Sequence, residues 1–400
     1  MPVDKTYNPF EKYGVKRVIN AATSLTYLGG SIPPREIFDS MAKAASCFVR
    51  IPELQRAAGD AIAKATGAEA GLPTAGALAG LVLAAAACMM KGTELEDFDP
   101  LGDEAGWRHI VSRLPLNTNG LRTEFIVQRS NRNSYDYSVE LAGGRFREVG
   151  STESCTMEEL ESAFYTTRTA AYYFTARELR KGLPLRTIVD VAHRRNVPVI
   201  VDAAAEIPPK RKLKFYIEEG ADLVVYSGGK HLSGPNNSGL LVGKKDLIKL
   251  AHLQSYPFNG IGRASKMSRE TIVGLVEALK IYLEHDEKAE FRKWLRWAEW
   301  FKEQLGEIKG VESGIIYQRT VEDGEPTAPF CYLILDQAKT GISGRELVNR
   351  LKSGDPCVYT LYEPKFLLGD CSNMVVINPQ YLIDGEHQIL LDNIKEILIN

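Results

Sequence analysis

The chain has 400 residues and a formal net charge of −2, from 49 Lys+Arg against 51 Asp+Glu, with 44% hydrophobic and 25% charged residues. That length predicts two domains, or one large α/β unit with an appendage, and excludes a small binding module; the average composition excludes disorder as the main state. The even charge balance argues against a dedicated nucleic-acid binder, because neutralising phosphates takes a surplus or stripe of Lys and Arg.

In chain order, residues 1–30 read as an N-terminal arm with a short strand at 16–20 and no apolar core for a signal peptide. Helical spacing follows over 35–66, with Ile37, Met41, Ala44, Ala45 and Phe48 on one face. The longest apolar stretch, 77–90, falls short of the roughly 20 residues a bilayer span needs and reads as a buried helix, so no membrane partner is expected. Strand-like runs at 125–127, 170–174, 197–201, 223–226 and 239–242 then alternate with helical stretches such as 156–164 and 184–195. That alternation predicts an α/β fold with a mostly parallel central sheet covered on both faces.

A long charged helix is predicted over 266–306, broken near the acidic patch at 284–287; its Trp294, Trp297 and Trp300 read as packing between helix and domain. The last hundred residues combine strands at 332–335 and 374–377 with helices at 344–351 and 385–398. The expected domains are the arm 1–30, a large domain 31–265, a linking helix 266–306 and a small C-terminal α/β domain 307–400 joined by the arm. Six cysteines, Cys47, Cys88, Cys155, Cys331, Cys357 and Cys371, form no CxxC pair and have no His at metal-ligand spacing, which predicts reduced thiols, no metal and a cytoplasmic address.

The chemistry concentrates at strand ends. Residues 197–201 form an apolar strand that delivers Asp202 at its carboxyl end, where open α/β sheets bind ligands. A second strand of the same design runs through Tyr226 into Ser227, Gly228, Gly229, Lys230 and His231. A lysine presented past a buried strand by two glycines suits a Schiff-base lysine, and Asp202 suits the carboxylate that a pyridinium nitrogen requires. Thr74, Ala75 and Gly76, directly before the Ala-rich helix, have the form of a phosphate cup at a helix N-terminus. In the order cup, Asp, Lys, the three point to pyridoxal 5'-phosphate, although separately each also reads as a cap or turn.

With these residues in hand, the chain resembles the selenocysteine synthase-like branch of fold-type I pyridoxal phosphate enzymes, which includes L-seryl-tRNA(Sec) selenium transferase and D-glucosaminate-6-phosphate ammonia-lyase. The matching stretches are 18–26 with 28–31, then 53–59, 66–70, 201–206, 227–230, 234–239 and the pair Gly262 and Arg263. The resemblance implies an aspartate aminotransferase-like fold, Lys230 as the lysine joined to the cofactor, and Asp202 as the partner of the ring nitrogen. It further implies phosphate binding by Thr74, Ala75, Gly76 and Ser227, a homodimer or higher homo-oligomer in which 234–239, starting at Gly234, serves the neighbour's cofactor, and an anion-binding Arg263.

The chain departs from the family in two places. Relatives often carry a His after the strand equivalent to 125–128; here Asn131 stands in the run Gln128, Arg129, Ser130, Asn131, Arg132, where it can hydrogen-bond a cofactor but not act as a base. Between Asp355 and Glu386 there is no Arg, and Lys365 is the only base, so the small-domain carboxylate clamp of many fold-type I enzymes is missing. Arg263, Arg129 and Arg132 are then the candidates for a substrate anion. His231, Tyr27, Tyr226 and Glu206 are candidate second acids, and His231 also a substrate contact.

The expected reaction is abstraction of the α-proton by Lys230 and α,β-elimination from a small amino acid or amino sugar acid, giving a 2-keto acid and ammonia. A racemase or epimerase using the same lysine is the alternative. Transfer onto aminoacyl-tRNA ranks lower, because the 18–26 segment lies so near the start of the chain and the charge is near zero. A cofactor-free scaffold would dispense with Lys230 or Asp202, and both are present.

Overall fold

The computed structural model describes residues 8–96, 113–176 and 181–399. The chain divides into two compact units: Pro33–His285 is the larger, and the smaller joins the described residues up to Ile32 to those from Asp286 on.

After β1 (Val18–Asn20), which belongs to the smaller unit, the larger unit opens with α1 (Arg35–Ala45) and α2 (Ile51–Thr66). The helix expected over 35–66 is therefore two. Pro52 sits in the first turn of α2, where its missing N–H has no helical partner to lose, and residues 46–50 connect the pair. Phe48, expected on one helical face with Ile37 and Met41, is 100% exposed in that connection.

The elements of the sheet follow: β2 (Ala70–Thr74), α3 (Ala77–Met90), β3 (Glu124–Gln128), α4 (Tyr137–Leu141), β4 (Arg145–Val149), α5 (Met157–Ser162), β5 (Thr169–Thr175), α6 (Leu185–Arg194), β6 (Val199–Asp202), α7 (Lys212–Glu218), β7 (Leu223–Ser227) and β8 (Gly239–Gly243). α8 (Lys245–Gln254) and α9 (Arg269–Glu284) complete the unit. The strand order is β2-β8-β7-β6-β5-β3-β4, with β8 antiparallel to both of its neighbours and the pairs from β7 to β4 parallel.

Successive residues of a strand face opposite layers. Tyr172, Phe174, Val199 and Val201 join a core with α2, α6, α7 and α9, whereas Ala171, Tyr173 and Ile200 join another with α3 and α8. Burial on both faces explains why these strands read as continuous apolar runs. The helix α3 is Ala-rich and buried nearly throughout because it packs between sheet and α8, and among the described residues no helix is long and apolar enough to cross a membrane.

The smaller unit contains α10 (Glu287–Gly306), β9 (Val311–Arg319), β10 (Pro326–Leu335), α11 (Gly344–Ser353), β11 (Cys357–Tyr359), β12 (Leu361–Tyr362), β13 (Val375–Ile377) and α12 (Glu386–Ile399). Its antiparallel sheet has the order β12-β13-β10-β9, and β1 pairs in parallel with β11. Asp286 starts α10 by accepting hydrogen bonds from the Lys288 and Ala289 amides, both at 3.0 Å, so the chain breaks between α9 and α10 at the acidic patch. Trp297 stacks on His387 with ring centroids 5.2 Å apart, and Trp300 meets the same ring edge-on at 5.3 Å, an ordinary packing use of the tryptophan stripe.

Candidate active site

The large sheet lines up the candidate residues at its carboxyl edge by register. Thr175 pairs with Asp202, Asp202 with Val225, and Ser227 with Gly239, which on its other side pairs with Thr74. Four strand ends thus carry Thr175, Asp202, Ser227 and Thr74 along one line, as the open-sheet rule anticipates.

Thr74 and Gly76 shape the bend into α3. Thr74 Oγ1 donates to the Gly76 carbonyl at 3.0 Å, and Gly76 has φ of 96°, a conformation that favours glycine. No side chain caps α3 and no acidic residue lies in its first turn. The half-buried start of the helix, residues 77–79 after Ala75 and Gly76, therefore presents amides and a dipole suited to an anion. Gly239 lies beneath this bend: a Cβ there would come within 2.7 Å of the Gly76 carbonyl carbon and 2.9 Å of the Ala77 nitrogen.

Lys230 follows β7 on a tightly folded loop. The Gly228 N–H donates to the Ser238 carbonyl at 2.8 Å, and the Gly234 N–H to the Gly228 carbonyl at 2.9 Å. A Cβ on Gly228 would meet Ser238 Oγ at 2.3 Å, and one on Gly229 would meet Asn236 Cα at 2.6 Å. Gly229 is required by close backbone approach and Gly228 by the side chains of Ser238 and Leu275, and Gly234 is buried against Gly228 of its own chain. Lys230 and His231 are half-buried at the loop's start.

Asp202 is 7% exposed and accepts a hydrogen bond from the Ala204 amide at 3.0 Å. Burial pushes its carboxyl above the ordinary range, against the opposing pull of that amide, the Lys230 charge and the Asn133 carboxamide. Asp202 ends β6, and Lys230 lies three residues beyond the end of the neighbouring parallel strand β7.

Three arginine and asparagine expectations need correction. The fully buried Asn131 bridges to β5: its Nδ2 donates to the Thr175 carbonyl at 2.8 Å and its Oδ1 accepts from the Thr175 amide at 2.6 Å. Asn131 thus joins two strand ends instead of facing a ligand. Arg129 pairs with Glu148 at 2.9 Å, and Arg132 with both Asp136 and Glu148 while lying 4.6 Å over the Phe146 ring. Carboxylates of this chain already hold both guanidinium groups. Arg263 instead stands exposed on the loop after α8, 5.3 Å over the Tyr256 ring.

Among the candidate second acids, Tyr226 is fully buried and donates to the Lys212 carbonyl at 2.8 Å, and burial raises its pKa well above the usual phenol value. It therefore anchors α7 and does not serve as an acid. Glu206 accepts from Tyr216 at 3.2 Å, and Tyr27 is 69% exposed in the smaller unit.

The sequence does not single out Asn133 or Asp136. The 3-10 turn at Arg129–Asn131 directs Asn131 into β5, and Asn133, two places on, donates from Nδ2 at 3.0 Å to the hydroxyl of Thr175, the register partner of Asp202. The signal available was a run of small polar residues, Ser130 to Ser134, around an Arg.

The donor set fits pyridoxal phosphate. An uncapped helix start would suit the dianion, a desolvated carboxylate would suit the ring nitrogen, and a lysine at the same sheet edge would suit the aldehyde. Among the described residues no cluster of His, Cys, Asp and Glu offers a metal site.

Comparisons with known proteins find relatives over nearly the whole chain. A family model described as L-seryl-tRNA selenium transferase matches residues 138–305. A 5'-C-glycyluridine monooxygenase-decarboxylase of Streptomyces sp is 31% identical over 98% of this chain and 92% of its own length. A D-glucosaminate-6-phosphate ammonia lyase of Salmonella typhimurium (strain 14028s / SGSC 2262) is 29% identical over 98% of each chain. Among solved structures, that of a D-glucosaminate-6-phosphate ammonia-lyase superimposes with a TM-score of 0.82 over 98% of this chain and 99% of that one, at 29% identity.

Proposed function

The chain belongs to the selenocysteine synthase-like family of fold-type I pyridoxal phosphate-dependent enzymes, and from that premise we propose that it is a lyase acting on a small 2-amino-3-hydroxy acid or amino sugar acid. The observation that carries the reading is the placement of Asp202 and of the loop that bears Lys230 at the ends of neighbouring strands, at the same sheet edge as the uncapped start of α3.

Bound pyridoxal phosphate supplies an electron sink that acidifies the α-carbon of an amino acid joined to it. The residues of the chain do the rest. The amides at the start of α3, with Thr74, Ala75, Gly76 and Ser227, hold the phosphate. Asp202 keeps a proton on the ring nitrogen. Lys230 Nζ would take the α-proton and pass a proton to the departing β-hydroxyl, which leaves as water. Hydrolysis of the resulting enamine returns that water, so the net products are one 2-keto acid and one ammonium ion. Arg263 is the proposed contact for a substrate carboxylate or phosphate, and His231 lies beside the lysine as a second contact.

Small-molecule chemistry accords with the net charge of −2, and six free thiols accord with a cytoplasmic address. A homodimer accords with the apolar side chains left exposed on and after α1, Phe38 at 48%, Phe48 at 100% and Val49 at 46%.

The 31% identical relative favours a second reading, in which the α-carboxylate is lost with dioxygen as oxidant. Assays of keto acid, ammonia, carbon dioxide and dioxygen uptake on hydroxy-amino acids and amino sugar acids separate the two. Keto acid and ammonia formed anaerobically support the lyase; oxygen-dependent carbon dioxide release supports the alternative.

A further inference from the structure

The loop that leaves α8 and carries Arg263 is fastened by two buried glutamines. Gln254, fully buried at the end of α8, accepts from the Ile261 amide with Oε1 at 3.0 Å and from the Gly262 N–H with its carbonyl at 2.8 Å. A Cβ on Gly262 would lie 2.8 Å from that carbonyl oxygen and 2.9 Å from Leu83 Cδ2, so the loop closes onto α8 and against α3, the helix whose start is the candidate phosphate cup. Gln55, 3% exposed on α2, donates from Nε2 to the Tyr256 carbonyl at 2.6 Å, and its Oε1 lies 3.0 Å from His252 Nε2. A carbonyl only accepts, so the Gln55 amide nitrogen must face Tyr256, and His252 then carries a proton on Nε2.

Burying a carboxamide costs free energy unless it is hydrogen-bonded, and both of these bond the backbone of one loop. What that loop presents is Arg263. Its N–H donates to the Gly260 carbonyl at 2.9 Å, and its guanidinium lies 5.3 Å over the ring of the half-buried Tyr256. Among the described residues no carboxylate pairs with it. A ring face holds a cation without occupying its N–H donors, which therefore stay open to an anion. Arg129 and Arg132, by contrast, spend theirs on Glu148 and Asp136.

We propose that Gln55, Gln254 and Tyr256 are positioning residues for Arg263: the glutamines fix the loop backbone on either side of its tip, at Tyr256 and Ile261, and the Tyr256 ring holds the guanidinium with its donors open. The inference rests on the reading of Arg263 as the contact for a substrate carboxylate or phosphate. It also gives a role to the buried glutamine of the 53–59 stretch, which otherwise lies far along the chain from every candidate site residue.

The test follows binding of 2-amino-3-phosphonopropionate to the full-length holoenzyme through the change in the cofactor's visible absorption. This probe carries a carboxylate and a phosphonate on one amino acid, and its carbon–phosphorus bond resists elimination. Alanine, with the carboxylate alone, is the second probe: a loss shared by both places the carboxylate on Arg263, and a loss confined to the phosphonate places the phosphate there. Arg263→Gln should weaken phosphonate binding by about tenfold, as loss of a charge-assisted contact does. Tyr256→Leu should weaken it by about threefold, in the range of an exposed cation–π contact, and Tyr256→Phe should restore wild-type affinity. Gln55→Leu should also cost about threefold; if it does not fold, Tyr256→Leu carries the test. In the Arg263→Gln background neither substitution should change affinity by as much as twofold, roughly the error of such comparisons, because both act through the guanidinium. Losses that persist in that background, or wild-type affinity in Tyr256→Leu, would overturn the proposal. A holoenzyme that binds neither probe, or that is indifferent to Arg263→Gln, would overturn the Arg263 contact itself, an outcome distinct from a sensitive Arg263 with insensitive Tyr256 and Gln55.

Discussion

Thr74 and Gly239 are register partners across β2 and β8, and a Cβ on Gly239 would lie 2.9 Å from Thr74 Oγ1 and 2.7 Å from the Gly76 carbonyl carbon. The bend that opens α3 thus rests on a glycine in the neighbouring strand. Gly239→Ala has to push that bend away, at about 1–3 kcal/mol, the usual penalty of overpacking. The expected outcome is a lower Tm together with weaker cofactor binding, measured by calorimetry and by titration of the apoprotein. A variant with a lower Tm but wild-type cofactor affinity would separate Gly239 from the phosphate cup.

Lys230→Ala removes both the amine that joins the aldehyde and the base. The expected result is loss of the borohydride-reducible visible absorption band, with kcat falling by at least roughly 10²–10⁴-fold, the range of general acid–base catalysis. Residual cofactor binding should persist through the phosphate cup and Asp202. A variant that keeps the reducible band would assign the Schiff base to another lysine.

The arginines divide by their partners. Arg129 pairs with Glu148, whereas Arg263 lies exposed over Tyr256. Arg263→Gln should raise KM for an anionic substrate by about tenfold with a smaller change in kcat, as loss of uniform binding does. Arg129→Gln should leave KM within about twofold, because an exposed ion pair contributes little. Steady-state kinetics on both variants checks this, and the reverse order would move the anion contact to β3.

Stability should fall in mild acid through His252. Its Nε2 lies 3.0 Å from Gln55 Oε1, its ring meets Phe258 edge-on at 5.3 Å, and burial lowers its pKa below 6.5. The unfolded chain then binds the proton more readily than the native protein, so stability is unaffected above pH 6.5 and declines as pH falls below it towards the lowered native value. Thermal unfolding of the apoprotein between about pH 7.5 and 5.5 should show this decline, and His252→Gln should reduce its slope by up to one proton. An unchanged slope in the variant would assign it to other groups.

Much of this architecture was legible in the sequence, for a physical reason. Strands buried on both faces, such as β6 and β7, must be apolar throughout, so they stand out and end visibly at Asp202 and Ser227. Gly228 and Gly229 announced themselves because only glycine tolerates the approach of Ser238 and Asn236. Side-chain partners were not legible. Whether Arg132 meets a substrate or Glu148 depends on β4, a half-exposed strand with charged Arg145, Arg147 and Glu148 that lacks an apolar signature. The break after α1 was likewise hidden, because Phe48 continues the helical spacing although the chain has already turned. Asn131 and Asn133 are the same residue type two positions apart, and only the turn at Arg129–Asn131 decides that the first meets the Thr175 backbone and the second its hydroxyl.

The most direct test of the lyase reading is incubation of the holoenzyme, in deuterated water, with D- and L-hydroxy-amino acids and amino sugar acids, following keto acid, ammonia and deuterium at Cα. A lyase gives stoichiometric 2-keto acid and ammonia from at least one 3-hydroxy substrate, abolished in Lys230→Ala. Deuterium incorporated at Cα with inversion of configuration, and no keto acid from any substrate, would contradict it.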